Sequence, residues 1–329
     1  NEQGESILGD FGAASFYNLE DGVSGETLQR LESRAFGCLL EDLLDRHSSD
    51  NISGDISGKT ETELNALEHL RQLQQRCLTP CPIVASIPHS GMVVPAEMLR
   101  ALNVSYQNFL PHQDWHLDKL YDGLPDLGIT VLEAVYSRYV VDLNRAAKSP
   151  FMGNFWQATV PRQTAYGKPL YRIPPASQQV QNRIEQVYRP YHQTLERLLQ
   201  ERLDQFGHVY LLDLHSFAGP IQDQVCLGNG NGKTCSELLI AAVDSAFSSQ
   251  GYQVAHNHVF NGGYITRHYG EMPGVESLQV EFRYHNYLNL EQLEQEQIPD
   301  WNIPEFYQAK QNIRPLFTHL VSSLLTDAP

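Results

Sequence analysis

The sequence predicts an α/β protein, a mostly parallel mixed sheet with helices on both faces, preceded by an N-terminal helical extension. Three observations predict it. From Pro82 onward, short apolar runs of strand length alternate with longer stretches of helical periodicity. Two of those runs lead straight into a polar segment bearing a histidine, His89 and His215, as strands do at the functional edge of such a sheet. The first 80 or so residues carry leucines at helical spacing and no strand-like run.

In chain order, residues 26–46 place Leu28, Leu31, Phe36, Leu39, Leu40, Leu43 and Leu44 on a helical period, and the Ser/Asp/Gly-rich residues 48–58 read as a loop. A second helix runs over 61–75, with Leu64, Leu67, Leu70 and Leu73 every third residue. Residues 1–80 are therefore expected to pack as a helical extension on a main domain of residues 81–329. There, residues 83–87 predict a buried strand that breaks at Pro88-His89-Ser90-Gly91. A helix is expected over 114–124 and a strand over 129–135. The apolar run 139–143 then leads into Asn144 and Arg145. Residues 146–174, rich in Pro, Gly and aromatics, read as a long loop, and loops of that length are usually functional or mobile. Residues 177–206 are amphipathic, with Pro190 expected to kink or split the helix. Residues 209–212 predict a strand running into Asp213-Leu214-His215-Ser216. Thr234 and Glu237 have capping-box spacing and start a helix to about Ser248. A strand over 277–282 carries Glu281, and a closing helix spans 304–325.

Charge narrows the function. Against 23 basic residues stand 39 acidic ones, a net charge of −16. Nucleic acid needs a basic face, so it is excluded as a partner. No apolar run approaches the roughly 20 residues that span a bilayer. A small anionic substrate would need a local arginine cluster, and Arg138, Arg145, Arg162, Arg172 and Arg267 all fall in or beside loops of the main domain. Guanidinium forks suit carboxylates. Cys77 and Cys81 lie close together, but Cys38, Cys226 and Cys235 supply no second close pair for a zinc knuckle, which leaves a disulfide at 77–81 open. Asn51 and Asn103 fit the glycosylation sequon, a pattern short enough to arise by chance. The chain begins at Asn1 rather than Met and shows no signal peptide; the cytoplasm is the expected compartment.

Two neutral imidazoles and one carboxylate, with a fourth position open, make a catalytic zinc site. His89 and His215 are the candidate imidazoles; the alternative is a hydrogen-bonded structural role for each. A Glu three residues after His89 would complete a local site, but Met92 stands there. Asp114, in His112-Gln113-Asp114-Trp115-His116, is the next candidate. Its alternative is a helix N-cap, and His112 and His116 could bind instead. Asp213, two residues before His215, shares a strand face with it and could orient its ring. Glu281 lies in an apolar strand, where a carboxylate needs a reason. It is either a general base beside a metal or half of an ion pair with an arginine. Gly228 to Thr234 imitates a phosphate loop, but Leu227 stands where its first glycine belongs, and no Gly-x-Ser-x-Gly elbow is present.

Several motifs in order resemble the N-formylglutamate amidohydrolase family over about residues 82–290: Pro88-His89-Ser90-Gly91, Ser137-Arg138-Tyr139-Val140-Val141-Asp142-Leu143-Asn144-Arg145, Thr164 to Tyr171, Tyr188-Arg189-Pro190-Tyr191-His192, Asp213-Leu214-His215-Ser216, Gly262 to Gly270 and Gln279-Val280-Glu281. That family looks related to zinc carboxypeptidases and aspartoacylases. The resemblance implies a phosphorylase/hydrolase-like three-layer α/β/α fold, one zinc ion per chain, and hydrolysis of N-formyl-L-glutamate to formate and L-glutamate at the end of histidine degradation. It implies zinc on His89 and His215, with Asp114 the third ligand chosen here, Glu281 as general base and Arg138 as the group polarising the carbonyl. Asn144 and Arg145 would hold the substrate carboxylate. Arg267, with Tyr264 of the same motif and Arg162, would complete the substrate site. Residues 1–80 have no counterpart in the family, and Gln113 replaces an expected Thr. Hydrolysis of another N-acyl amino acid, a carboxypeptidase-like activity, and a non-catalytic amino-acid-binding role are the alternatives.

Overall fold

The computed structural model describes residues 80–148, 150–219 and 222–326. The helices expected at 26–46 and 61–75, the Asn51 sequon and Cys77 lie outside the described residues. Cys81, Cys226 and Cys235 are free thiols.

A six-stranded sheet forms from β1 (Ile83–Ile87), β2 (Thr130–Glu133), β5 (Val209–Phe217), β6 (Val225–Gly228), β7 (Val254–His256) and β8 (Val275–Arg283), in the order β2-β1-β5-β8-β6-β7. The first four in that order are mutually parallel; β6 runs antiparallel to β8 and parallel to β7. The short strands β3 (Met152–Gly153) and β4 (Val160–Pro161) pair apart from it, inside the segment expected to be loop. The helices are α1 (Ala96–Ala101), α2 (Leu117–Leu120), α3 (Ser177–Arg183), α4 (Arg189–Phe206), α5 (Glu237–Ser249), α6 (Tyr264–Tyr269), α7 (Leu290–Glu294) and α8 (Pro304–Thr326). None is long and apolar enough to cross a membrane.

Strand alternation sorts the core into two layers. Ile83, Ala85, Ile87, Tyr210, Leu212, Leu214, Leu278, Val280 and Phe282 share one cluster with residues of α2, α5 and α8. From α8 alone, Phe306, Ile313, Leu316, Phe317, Leu320 and Leu324 are buried, a helical stripe in which Phe317→Ala would cost about 3–5 kcal/mol. The opposite face packs Val84, Val209, Leu211 and Val275 under α3, α4 and α6 through Val180, Leu195, Leu199 and Ile265. Alternation then assigns Ser86, Asp213, His215, Gln279 and Glu281 to this second face. All five are buried, toward the carboxyl ends of β1, β5 and β8.

Several expectations need correction. The helix expected from Asp114 begins at Leu117, because His116 adopts a left-handed backbone (φ 57°). Asp114 therefore caps nothing and is free for other contacts. Ser236, not Thr234, caps α5, accepting from the Leu239 amide, while the Thr234 hydroxyl donates to the Ser277 carbonyl. Strand β6 begins at Val225, directly after the polar Gln222, Asp223 and Gln224, and all four of its residues are buried. The apolar run 139–143 is buried and forms a turn. The 177–206 helix does split: a π-helical turn, Ile184–Tyr188, precedes Pro190, which has no amide hydrogen to continue the ladder.

Candidate active site

Three elements converge at the sheet edge. His89 follows β1 by two residues, and Gly91 just beyond it lets the chain graze the β2 exit. A Cβ at Gly91 would lie 2.5 Å from the Tyr136 carbonyl oxygen. Asp114 arrives on the loop before α2. His215 lies within β5, whose nine residues extend past the expected strand, and it is paired in register with Glu281 on β8.

His89, Asp114 and His215 are each 2% exposed, and one ligand atom from each lies within 4.8 Å of the others. Asp114 Oδ2 is 2.9 Å from His215 Nδ1 and 3.7 Å from His89 Nδ1. Each ring is braced from behind. His89 Nε2 donates to Asp142 Oδ1 at 2.8 Å, and Asp142 Oδ2 accepts from Arg138 Nη2 at 2.8 Å. His215 Nε2 faces Asp213 Oδ2 at 3.1 Å. Asp213 has no exposed surface, and it also accepts from Asn144 Nδ2, Thr266 Oγ1 and Ser86 Oγ, the last joined to Tyr191 Oη at 3.0 Å. Carboxylates behind both imidazoles are the arrangement that aims histidines at a metal.

Electrostatics point the same way. Burial opposes charge on His215, yet Asp213 and Asp114 raise its pKa well above the usual histidine value. Burial likewise works against ionised Asp114 and is outweighed by the hydrogen bond from His215 and the nearby His89 ring, which hold its carboxyl low. The cluster thus stabilises a cation between its groups, here the His215 imidazolium. Meanwhile His89 Nδ1 is buried with no hydrogen-bond partner. Two imidazole nitrogens and one carboxylate oxygen, with an orphaned Nδ1 among them, fit the donor set of a zinc ion with an open position. His112 and His116 are not part of the group. His112 has its ring edge-on to Phe155 and Tyr166, and His116 Nε2 bonds the Pro299 carbonyl at 2.7 Å.

Glu281 is buried beside the cluster, where burial first, and then Asp114, push its pKa up to about 7 against the pull of His215. Gln279 Nε2 donates to its Oε1. These groups open onto a cavity of about 560 Å³ that Arg138, Asn144 and Arg145 also line. Asn144 is heavily engaged. Its Oδ1 accepts from the Ile265 amide at 2.8 Å, and its Nδ2 lies 2.9 Å from His215 Nε2. Gly263 is what admits it, since a Cβ there would come 2.3 Å from that Nδ2.

The structure does not bring Arg162, Tyr264 or Arg267 to the cavity wall. Arg162 is exposed. Tyr264 stacks on His268, and Arg267 ties the loop before α6, donating to the Gly262 carbonyl and Asn261 Oδ1. Sequence reasoning gave no role to Asp142, although an acid inside the apolar run 139–143 was the available signal. It also missed the apolar rim formed by Phe155, Trp156, Phe217, Val259 and Phe260.

A buried His-Asp-His group beside a glutamate, at the strand ends of an α/β sheet and opening onto a cavity, is the make-up of a hydrolase. Comparison with known proteins agrees. The sequence model of the N-formylglutamate amidohydrolase family matches residues 81–288, and the chain belongs to that family. It is 34% identical over 220 residues to an N-formylglutamate deformylase of Pseudomonas putida, covering 63% of this chain and 82% of that one. An N-formylglutamate deformylase of Pseudomonas aeruginosa is 33% identical over 221 residues, with the same coverage. In fold, the chain is similar to the crystal structure of N-formylglutamate amidohydrolase from Ralstonia eutropha JMP134, with a TM-score of 0.61 and 24% identity over 75% of this chain and 94% of that one. A gene product of Agrobacterium tumefaciens gives a TM-score of 0.57 at 17% identity, over 76% and 93% of the two chains.

Proposed function

We propose that this protein is a zinc-dependent amidohydrolase that cleaves N-formyl-L-glutamate to formate and L-glutamate, serving histidine degradation in the cytoplasm. The observation that carries the metal-dependent part is the buried His89–Asp114–His215 group with Glu281 paired in register beside it. The substrate follows from the family and from relatives named for that reaction.

Zinc held by His89, Asp114 and His215 would supply Lewis acidity, acidifying water and polarising the formyl oxygen. Glu281 takes a proton from the attacking water; a carboxyl poised near 7 suits a base working at neutral pH. Water oxygen bonds to the formyl carbon, and the C–N bond breaks. Glu281 passes its proton to the leaving amine, so formate and glutamate balance substrate plus water. Arg138, fixed by Asp142, faces the cavity with its Nε buried and unpartnered, and is placed to stabilise the negative oxygen that develops. Arg145, whose Nε is likewise unpartnered, receives the α-carboxylate. Asp142 and Asp213 keep both imidazoles aimed inward.

Formate release from N-formyl-L-glutamate, compared with acetate release from N-acetyl-L-glutamate, tests the reading. Rapid formate release with little acetate is expected. Absence of formate release from a zinc-supplemented sample would remove the substrate assignment.

A further inference from the structure

N-formylglutamate carries two carboxylates, and the arginines expected to complete its site, Arg162 and Arg267, do not line the cavity. Arg138 and Arg145 do. Arg138 is committed: Nη2 lies 2.8 Å from Asp142 and Nη1 donates to the His112 carbonyl. Arg145 donates to the Asn144 carbonyl and, among the described lining residues, is the guanidinium with no carboxylate in hydrogen-bond contact. One free fork matches one carboxylate, and the other needs a different donor. A carboxylate enclosed without one would lose its water and gain nothing.

Most polar side chains of the wall already have their hydrogens placed. Trp156 Nε1 donates to the Ala165 carbonyl and Tyr284 Oη to the Gln113 carbonyl. Gln279 accepts from the Gly263 amide and donates to Glu281, and Asn144 Nδ2 donates to Asp213. Ser216 falls on the other face of β5 from His215, beside the Tyr287 hydroxyl. The His112 ring sits edge-on to Phe155 and Tyr166.

Asn261 is different. It is half-buried in the cavity wall, and its Oδ1 accepts from Arg267 Nη2 at 2.6 Å. A guanidinium only donates, so the oxygen end of the carboxamide must face Arg267. The nitrogen end, with both hydrogens, has no hydrogen-bond partner among the described residues. Arg267 is exposed, so water can replace it at Oδ1, and the amide itself is what a substrate meets. The backbone of Asn261 is held as well. Gly230 N donates to its carbonyl at 2.7 Å, and a Cβ at Gly228 would lie 2.6 Å from the Gly262 nitrogen. The glycine-rich turn that imitates a phosphate loop thus packs directly against this segment. Position fits too. Gly263 packs on the Asn144 side chain, and the two residues from there to Asn261 span at most about 7 Å. Asn261 therefore stands at the Asn144–Arg145 end of the cavity, within reach of the side chain of a substrate whose α-carboxylate sits on Arg145.

We propose that Asn261 determines specificity for the side-chain carboxylate of N-formylglutamate, donating to it from Nδ2 while Arg145 holds the α-carboxylate. This rests on the amidohydrolase reading of the site and names the group that reads the substrate's side chain.

The test is kcat/KM by formate release from N-formyl-L-glutamate, N-formyl-L-glutamine and N-formyl-L-norvaline, with the zinc-loaded full chain and its Asn261→Ala and Asn261→Asp variants. Circular dichroism checks that both variants fold. Wild type is expected to prefer glutamate. Asn261→Ala should lower kcat/KM for glutamate by about 10–100-fold, the worth of a hydrogen bond to a charged group, mainly through KM. For norvaline, which has no polar side-chain end, the change should stay within about threefold. Asn261→Asp replaces the donor by an acceptor of the same shape, so it should repel glutamate, accept from the glutamine amide and invert the preference between them. Equal losses for all three substrates in Asn261→Ala, unchanged turnover of glutamate, or glutamate still preferred by Asn261→Asp overturns the proposal while the amidohydrolase reading stands. Formate from none of the three with wild type refutes that reading and the proposal with it.

Discussion

On the cavity floor, Asp213 has no exposed surface and gathers groups from β1, β5, α6 and the Asn144 turn; at the rim, Trp156 and Val259 keep more than half of their surface in water. Floor positions come from sheet register, which couples His215 to Glu281 and Asp213 to Gln279 across β5 and β8. Trp156 and Val259 sit on loops, which tolerate change far better than a ladder does. The difference separates two kinds of consequence. Substitutions on the floor should alter metal binding and chemistry, and substitutions at the rim should alter which substrate is accepted.

The largest effect belongs to the floor. Glu281→Gln should lower kcat by about 10²–10⁴ with metal still bound, the range for loss of a general base. Normal turnover in that variant would end the assignment. Asp142→Asn and Asp213→Asn should each weaken zinc binding by about 10–100-fold in chelator competition, because each unties an imidazole. Equal affinity in both variants would show that the bracing carboxylates are idle. Arg145→Ala should raise KM by roughly 10–100-fold, since a hydrogen bond to a charged group is worth about 1.5–3 kcal/mol, and leave kcat closer to wild type.

A pH experiment sharpens the same contrast. Burial raises the Glu281 pKa in the folded, metal-free protein from 4.5 to about 7. The unfolded chain therefore loses this proton at lower pH than the folded one, and folding stability from this group falls as pH rises from about 4.5 to 7. Metal-free Glu281→Gln should escape that fall, so its stability relative to wild type should grow by a few kcal/mol across the window, measured by urea unfolding. A constant difference would place Glu281 in an ordinary carboxylate environment. The smallest effect is expected at Arg267. It is exposed and bonded to its own loop, so Arg267→Ala should shift KM by no more than about twofold. A large rise in KM would mean the loop before α6 turns inward when substrate binds.

Most of the floor was legible in the sequence, because strand-end histidines and a carboxylate inside an apolar strand violate the rule that buried positions are apolar. His89, His215 and Glu281 each stand out in that way. Asp114 was one of three candidates in a five-residue stretch, and spacing could not choose among them. Their contacts decide the matter: the His112 ring sits edge-on to Phe155 and Tyr166, and His116 Nε2 bonds the Pro299 carbonyl. Asp142 stayed without a role because its partner His89 is 53 positions away in sequence. The rim was illegible for a different reason. Trp156, Phe217 and Val259 look like any other apolar residues until folding leaves two of them exposed at the cavity mouth. Arg162 and Arg267 show the converse: an arginine in a loop near the motifs need not line the cavity.

Whether the His89–Asp114–His215 group works by holding a metal is decided by elemental analysis combined with formate release. The purified protein is expected to carry about one zinc per chain, to lose activity on N-formyl-L-glutamate when a chelator strips it, and to regain activity when zinc is returned. Undiminished formate release from protein stripped of metal would show that the His89–Asp114–His215 group does not work through a metal.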